Sequence, residues 1–226
     1  AIRLAGMSLP GTAAYADEIS VWRAFVADQA QGTVSVIDLE AGEVVDTFAL
    51  NGPASLYVTS SAQRVFAVQG NANIVQAIDT GTAIEGEYPV HFVDHHGQIA
   101  LFFDNEGVAK LIDESDFGAT EPRIVPSGAP HHGVAAAYGD YTLITEPHPE
   151  DPSNLPVGIN VLDADDRQVG DTHAWPGLHG EASSGNLLAI ACDTGLLLVT
   201  DSADDPQITH LPYDEALPEG KSSTLL

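Results

Sequence analysis

The chain has 226 residues, of which 44% are hydrophobic, and this is enough to bury a sizeable core as one large all-β domain or two small ones. Its 33 Asp and Glu outnumber its 7 Lys and Arg, so the formal net charge is −26. That charge repels phosphate backbones and anionic lipid surfaces and argues against nucleic acid as a partner, whereas it attracts cations. Solubility or a saline habitat is the alternative explanation of the charge.

The first 16 residues, AIRLAGMSLPGTAAYA, are small, apolar and nearly uncharged, and they end in Ala-Tyr-Ala ahead of Asp17. This pattern is typical of the end of a secretory signal peptide with a small-x-small cleavage site. We therefore expect residues 1–16 to be a signal-peptide remnant, or alternatively an ordinary N-terminal arm, and residues 17–226 to form the folded domain. Nothing else approaches the roughly 18 consecutive apolar residues of a membrane helix, so we expect an exported protein without membrane insertion.

One unit recurs along the chain from Arg23 onward. Each copy joins two β-rich runs by a short polar turn and closes on an apolar residue followed by an aspartate, at Asp38, Asp79, Asp113, Asp163 and Asp201. A period near ~40 residues with several short strands per unit is the signature of propeller blades, because one small sheet cannot bury both of its faces alone. Helical periodicity is not convincing anywhere. The sequence therefore predicts an all-β fold, a β-propeller of four-stranded blades with about five units over residues 17–226.

A second strand pattern precedes each of these units, in GPASLYVTSSAQRVFAV, YPVHFVDHHGQIALFF, APHHGVAAAYGDYTLIT and GLHGEASSGNLLAIAC. Alignment of their turns puts Ser55, His91, His132 and His179 in one column. The first strand of each propeller blade lines the central channel, so equivalent positions at its start form a ring. His91, His132 and His179 should therefore converge at one point.

Acidic side chains are expected close to this ring. The strand after each inner strand ends at Gln69, Asp104, Glu146 and Cys192, and up-and-down connectivity returns that end to the same mouth. We also place on this face two pairs from turns, Glu146 with His148 and His95 with His96. His131 should point to the opposite side of its strand from His132. The lone Cys192 lies in an apolar run and is interpreted as a buried structural thiol.

Three imidazoles with a carboxylate or water make a suitable tetrahedral zinc site. We therefore predict that His91, His132 and His179 bind Zn²⁺, with Glu146, His148, His95, His96 and Asp104 as secondary candidates. A single His beside a strand is usually structural, and only the shared column raises the joint hypothesis. No GxSxG, P-loop or GxGxxG motif is present, but a three-His site could equally hold a catalytic zinc-bound water.

Two stretches resemble known families. FVADQAQGTVSVIDLEAGEVVDTF resembles the blade motif of the YVTN class of bacterial β-propellers, in which an aromatic-Val-Ala-Asx strand precedes a TVSVID strand. GPASLYVTSSAQRVFAVQGNANIVQAIDTGT followed by PVHFVDHHGQIALFFDNEGVAKLID resembles the AztD-like periplasmic zinc metallochaperones that serve ABC-type zinc importers. The resemblance covers most of the chain from Asp17. It implies a periplasmic, non-enzymatic propeller that binds Zn²⁺ and hands it to the zinc solute-binding protein of an ABC importer.

The chain departs from this family in two places. Members usually carry a flexible His-rich loop, whereas DTGTAIEGEYPVHF contains no His before His91. The chain also stops at GKSSTLL, where another blade should begin, and about five units is at the small end for a closed propeller. We therefore expect an incomplete chain whose missing blades or loop could supply further ligands, and we expect a monomer.

Two other classes of function stay open at this point. A metal-dependent propeller hydrolase of the lactonase kind would need carboxylate and Asn ligands on the channel axis rather than His. A protein-interaction propeller scaffold would make the His column accidental. Metal content and turnover of simple ester and lactone substrates would separate these alternatives from a zinc carrier.

Overall fold

The computed structural model describes residues 2–7, 21–201 and 206–214. These residues form twenty β-strands and two short 3₁₀ turns. The strands make five four-stranded antiparallel sheets, and in each sheet the spatial order follows the chain order. Each sheet is thus the up-and-down meander of a propeller blade, which confirms the predicted fold. None of the helical residues in the described ranges belongs to a helix long and apolar enough to cross a membrane.

The first compact unit, residues 1–89, holds blades 1 and 2. Blade 1 consists of β1 (Ile2–Met7), β2 (Val21–Asp28), β3 (Thr33–Asp38) and β4 (Glu43–Ala49). Blade 2 consists of β5 (Ser55–Val58), β6 (Val65–Gln69), the 3₁₀ turn Gly70–Ala72, β7 (Ile74–Ala77) and β8 (Ala83–Glu85). The core between these two sheets is made of buried side chains from both, including Phe25, Val34, Leu56 and Ala67.

The N-terminal residues contribute a strand that the sequence pattern did not predict. β1 pairs with β2 in antiparallel register from Ile2 opposite Val26 to Met7 opposite Val21. The Ala-Tyr-Ala site and Asp17 lie outside the described residues. The division into a signal-peptide remnant or arm at 1–16 and a domain at 17–226 therefore stays a prediction.

Two of the closing aspartates of the repeat have a local structural role. In blade 1 the Asp38 carboxylate accepts hydrogen bonds from the backbone N–H groups of Glu40, at 2.9 Å, and Ala41, at 3.0 Å, and it pairs with Arg23 at 2.6 Å. Asp163 accepts from the N–H groups of Asp165 and Arg167 in the same way. At these two strand ends a short acidic side chain therefore satisfies the turn backbone.

The second compact unit, residues 90–226, holds blades 3, 4 and 5. Blade 3 consists of β9 (Pro89–His95), β10 (Gln98–Phe103), β11 (Val108–Asp113), the 3₁₀ turn Glu114–Asp116 and β12 (Arg123–Pro126). Blade 4 consists of β13 (Ala135–Tyr138), β14 (Tyr141–Glu146), β15 (Gly158–Leu162) and β16 (His173–Ala174). Blade 5 consists of β17 (Glu181–Ser184), β18 (Leu187–Cys192), β19 (Gly195–Asp201) and β20 (Pro206–Pro212).

Strand β13 shows how these three blades pack. All four of its residues are buried. Ala135 and Ala137 pack into the core shared with blade 3, whereas Ala136 and Tyr138 pack into the core shared with blade 5. The alternation follows the two-residue period of a strand, and the small Ala side chains leave room for a neighbouring sheet on each face. The first strands of blades 3, 4 and 5 are therefore held close together.

Candidate metal centre

Three histidines from three blades meet in the second unit. His91 is the third residue of β9, His132 precedes β13 by three residues, and His179 precedes β17 by two. One ring nitrogen from each lies within 4.8 Å of the others. Their ring centroids are 4.9 Å apart for His91 and His132, 5.0 Å for His132 and His179, and 5.9 Å for His91 and His179. The residues predicted to converge are thus brought together, and we call them the His triad.

Two members of the His triad, His91 and His132, face each other with their Nε2 atoms. The Nε2 atoms of His91 and His132 are 3.4 Å apart. Their Nδ1 atoms point away to carboxylates, since His91 Nδ1 lies 2.9 Å from Glu181 Oε2 and His132 Nδ1 lies 2.7 Å from Asp104 Oδ2. A carboxylate on the far nitrogen of an imidazole is the usual second contact of metal-ligating histidines, because it sets the tautomer and the ring orientation.

The spacing of the two Nε2 atoms fits a tetrahedral metal ion. Zinc binds imidazole nitrogen at about 2.0–2.1 Å in tetrahedral sites, which places two such nitrogens about 3.3–3.4 Å apart. His91 and His132 show this separation. A direct N–H···N hydrogen bond prefers a distance nearer to 3.0 Å, so the pair is better suited to sharing a metal ion than to bonding each other.

Burial and charge act in opposite directions on His91. Its side chain is 12% exposed, and that of Glu181 is 9% exposed. Burial alone lowers the pKa of His91, but the contact with Glu181 and the negative charges of Glu181 and Asp104 outweigh burial, so the pKa of His91 is raised. The same charges favour a bound cation. The site therefore attracts positive charge, whether as a proton or as a metal ion.

The chain neighbours of the His triad are apolar. Val93 follows His91 by two residues on the same face of β9, Val134 follows His132 by two, and Leu178 directly precedes His179. These three side chains are 2–5% exposed and belong to one buried cluster. The residues of the His triad therefore border the apolar core that blades 3, 4 and 5 share.

Asp104, a predicted secondary ligand, contacts the His triad from outside its group of converging nitrogens. It follows β10 and is 8% exposed, and its contact is with the Nδ1 atom of His132 rather than with the three converging nitrogens. Glu181, whose Oε2 lies 2.9 Å from His91 Nδ1, was not among the predicted residues. The available signal was its position two residues after His179 in the chain, which puts it at the start of the same inner strand.

His131 and His132 are divided as predicted, with the two rings on opposite sides. His131 Nδ1 lies 2.8 Å from the carbonyl oxygen of Ala129, and its Nε2 lies 2.9 Å from Thr145 Oγ1. Its ring also stands edge-on to Phe102. Both of its nitrogens are therefore occupied, and burial lowers the pKa of His131, so this imidazole is a neutral core residue.

The other predicted candidates lie apart from the donor group. Glu146 ends β14 and accepts a hydrogen bond from the Asn160 side chain. In the following turn, His148 Nδ1 lies 3.3 Å from the backbone N–H groups of both Glu150 and Asp151. The backbone N–H of Thr145, which precedes Glu146, donates to the carbonyl oxygen of Val134 at 3.0 Å, so Glu146 belongs to the end of blade 4 that carries His132.

His95 and His96 lie at the other end of β9, which corrects the prediction that they share the face of His91. β9 continues to His95, and four residues of strand separate His91 from His95 by about 13 Å. His95 stacks on Tyr138, the last residue of β13, and its Nδ1 lies 2.8 Å from Ser183 Oγ. His96 has a φ of +54° in the turn that follows. The strand is longer than the turn alignment predicted.

The remaining predictions concern residues outside the His triad. Cys192 is fully buried, with its Sγ 3.1 Å from the carbonyl oxygen of Gly195, which confirms a structural thiol. His173 is exposed in β16. The ring of His210 stands edge-on to Trp175, with centroids 4.3 Å apart.

The fold and this centre together define a class of protein. It is an all-β propeller with three histidines from consecutive blades that could hold a metal ion, two of them held by carboxylates.

Comparison with known proteins agrees with this class, although no protein-family model matches the chain. The chain is 40% identical over 237 residues to Zinc chaperone AztD of Citrobacter koseri, in an alignment that covers 94% of this chain and 56% of that protein. The solved structure of apo AztD from Citrobacter koseri superposes with a TM-score of 0.85 at 41% identity, covering 90% of this chain and 60% of that one. The resemblance predicted from the sequence is thereby confirmed. The chain spans less than two thirds of the length of these relatives.

A more distant neighbour shows only the fold. A putative 6-phosphogluconolactonase from Bacteroides fragilis superposes with a TM-score of 0.54 at 12% identity, covering 84% of this chain and 66% of that one. At this identity the likeness extends to the propeller architecture alone.

Proposed function

We propose that this protein is a zinc metallochaperone that binds Zn²⁺ at His91, His132 and His179 and delivers it to a solute-binding protein. The observation that carries the proposal is the 3.4 Å separation of the His91 and His132 Nε2 atoms, with the far nitrogen of each ring on a carboxylate. The similarity to a protein named as a zinc chaperone supports the choice of metal and role.

The donor set also favours zinc over softer metals. Three imidazole nitrogens suit zinc, whereas Cu(I) prefers thiolate and thioether ligands. The chain has one Cys and one Met, and Cys192 is buried in blade 5, outside the group of three converging donors. Imidazole ligation with an open fourth position would let a recipient protein contribute a ligand before the donor releases its own.

We place the protein in the periplasm and infer that its partner is the zinc solute-binding protein of an ABC importer. The apolar N-terminal pattern ending in Ala-Tyr-Ala supports export, and the resemblance to the zinc chaperone supports the partner. In this proposal the protein acts as a monomer and does not catalyse a reaction.

The first prediction tests the site directly. Replacing His91, His132 and His179 each by Ala should lower zinc affinity by more than the about 10–100-fold that is typical of losing an outer-shell partner. The triple variant should bind no zinc at the site, with little change in the free energy of unfolding, because two of the residues precede their strands and none belongs to the buried core. Affinity is measured by competition with a chromophoric chelator, on protein purified without a histidine tag.

His173→Ala is the matched control, because His173 is an exposed histidine of the same unit outside the His triad. It should bind zinc as the unchanged protein does. Equal zinc stoichiometry and affinity in the triple variant would overturn the site. Turnover of simple esters or lactones by the zinc-loaded protein, lost in the triple variant, would instead support a hydrolase.

A further inference from the structure

Two buried carboxylates touch the His triad without belonging to its group of donor atoms. We propose that Glu181 and Asp104 are positioning residues that hold His91 and His132 in the spacing and orientation of a pair of zinc ligands. The inference rests on the proposed zinc function and deepens it, because it states which residues set the geometry of two of the ligands.

The hydrogen-bonding pattern supports this orientation. A carboxylate can only accept a hydrogen bond, so Asp104 Oδ2, 2.7 Å from His132 Nδ1, selects the tautomer in which Nδ1 carries the proton. Glu181 Oε2 lies 2.9 Å from His91 Nδ1, and its negative charge favours a proton on the same atom of His91. In that tautomer the Nε2 atoms of both rings carry lone pairs, and these atoms lie 3.4 Å apart. Two lone pairs at this distance repel each other in the empty site, and a cation between them removes that repulsion.

The charge balance supports capture of a divalent ion. The side chains of Glu181 and Asp104 are 9% and 11% exposed, and neither forms an ion pair with Lys or Arg among the described residues. A carboxylate without a cationic partner is costly to bury, and a bound cation offsets that cost. Two carboxylates that contact two ligands match the two positive charges of zinc.

The test separates orientation from charge by pairs of variants. Glu181→Ala and Asp104→Ala remove the acceptor, and each should lower zinc affinity about 10–100-fold, as loss of an outer-shell partner does. Glu181→Gln and Asp104→Asn keep an oxygen that can accept a hydrogen bond from the Nδ1–H group. These variants should therefore recover part of the lost zinc affinity. Asp140→Asn, in the exposed turn between β13 and β14, removes one negative charge of the same unit and should leave affinity unchanged.

A double-mutant cycle shows through which residue each carboxylate acts. In a His91→Ala background, Glu181→Ala should change zinc affinity by less than about 2-fold, whereas in a His132→Ala background it should keep its full effect. The converse is expected for Asp104→Ala. Co²⁺ serves as a spectroscopic probe, and the intensity of its tetrahedral absorption bands should fall in the Ala variants and recover in the Gln and Asn variants.

The outcomes distinguish this inference from the proposed function. If the unchanged protein binds no zinc, or binds it without the His triad, the proposed function fails. If zinc binding depends on the His triad but Glu181→Ala and Asp104→Ala bind zinc as the unchanged protein does, only the positioning role fails. Thermal unfolding of each apo variant identifies any that has lost its fold, and the Gln and Asn variants keep the test valid in that case.

Discussion

His131 and His132 are neighbours in the chain, yet their surroundings give them different chemistry. His131 is 4% exposed and uses both ring nitrogens in hydrogen-bond contacts inside the protein, with Ala129 and Thr145. His132 keeps one nitrogen on Asp104 and turns the other toward His91. Side chains alternate between the two sides of an extended chain, so one imidazole supports the core while the next faces the site.

At the residue scale, we predict that Glu181 influences the pH range in which zinc binds. The pKa of His91 is raised above its ordinary value of 6.5, because the Glu181 and Asp104 carboxylates outweigh burial. A proton on Nε2 must leave before zinc binds, so zinc affinity should fall as the pH drops through this raised pKa. The decline should therefore begin at a higher pH than for an unperturbed imidazole.

The measurement is a competition titration between pH 8.5 and 5 with the unchanged protein and Glu181→Gln. Without the negative charge of Glu181 the pKa of His91 should fall, so the variant should begin to lose zinc affinity at a lower pH than the unchanged protein. Any difference in zinc affinity in favour of the unchanged protein should therefore shrink as the pH decreases. A flat affinity across the range would mean that imidazoles are not the main ligands. The same onset in both proteins would contradict the influence of Glu181.

At the scale of the strands and turns, the segment that leads to His132 packs closely against the backbone of Gly107. Gly107, between β10 and β11, has a φ of +63°, and a Cβ there would lie 2.5 Å from the carbonyl carbon and oxygen of Ala129. Ser127 bonds to the Gly107 carbonyl oxygen through both its backbone N–H and its hydroxyl. The turn of blade 3 thus packs against the chain that enters blade 4.

Gly107→Ala should therefore destabilise the fold by about 2–4 kcal/mol, from left-handed strain and from a backbone clash that no side-chain rotation can relieve. It should also weaken zinc binding, since the displaced segment carries His132. Gly139→Ala is the matched control, because Gly139 has a φ of +61° in an exposed turn with nothing within 4 Å of an added Cβ. That change should cost only about 1 kcal/mol. Urea unfolding measures both, and equal losses would contradict the contact.

At the scale of the whole molecule, charge and shape both bear on how zinc enters and leaves. The net charge of −26 raises the local concentration of cations around the protein. Val93, Val134 and Leu178, the chain neighbours of the His triad, belong to the buried core. We expect exchange with a partner at the ends of the second strands, where Glu146 ends β14 and His148 lies in the turn that follows.

We therefore predict that Glu146 and His148 assist transfer rather than storage. Glu146→Gln and His148→Asn keep an acceptor for their local hydrogen bonds, so they should slow zinc transfer to the apo solute-binding protein about 10-fold while changing equilibrium affinity little. Stopped-flow mixing follows transfer, with and without a chelator that traps free zinc. His96→Asn is the control, because His96 lies at the far end of β9 and Asn tolerates its positive φ. Transfer no faster than spontaneous release into the chelator would contradict the chaperone role.

The sequence by itself determined the blade pattern and the His triad. Both follow from repetition, since equivalent positions in successive blades must occupy equivalent places, and His91, His132 and His179 stand in one column of the repeat. The repeat also identified Asp38 and Asp163, whose side chains bond to backbone groups only a few residues ahead.

Only the tertiary structure decided which groups surround the His triad. Glu181 meets His91 across 90 positions of the chain, because the packing of blades 3, 4 and 5 brings β17 beside β9, and no periodicity within a blade reports that contact. The true length of β9 moved His95 and His96 away from the site, since strand length depends on pairing with β10 and on burial rather than on turn residues alone. Contacts within a repeat can be predicted from the period of the repeat, whereas contacts between blades depend on how the sheets pack.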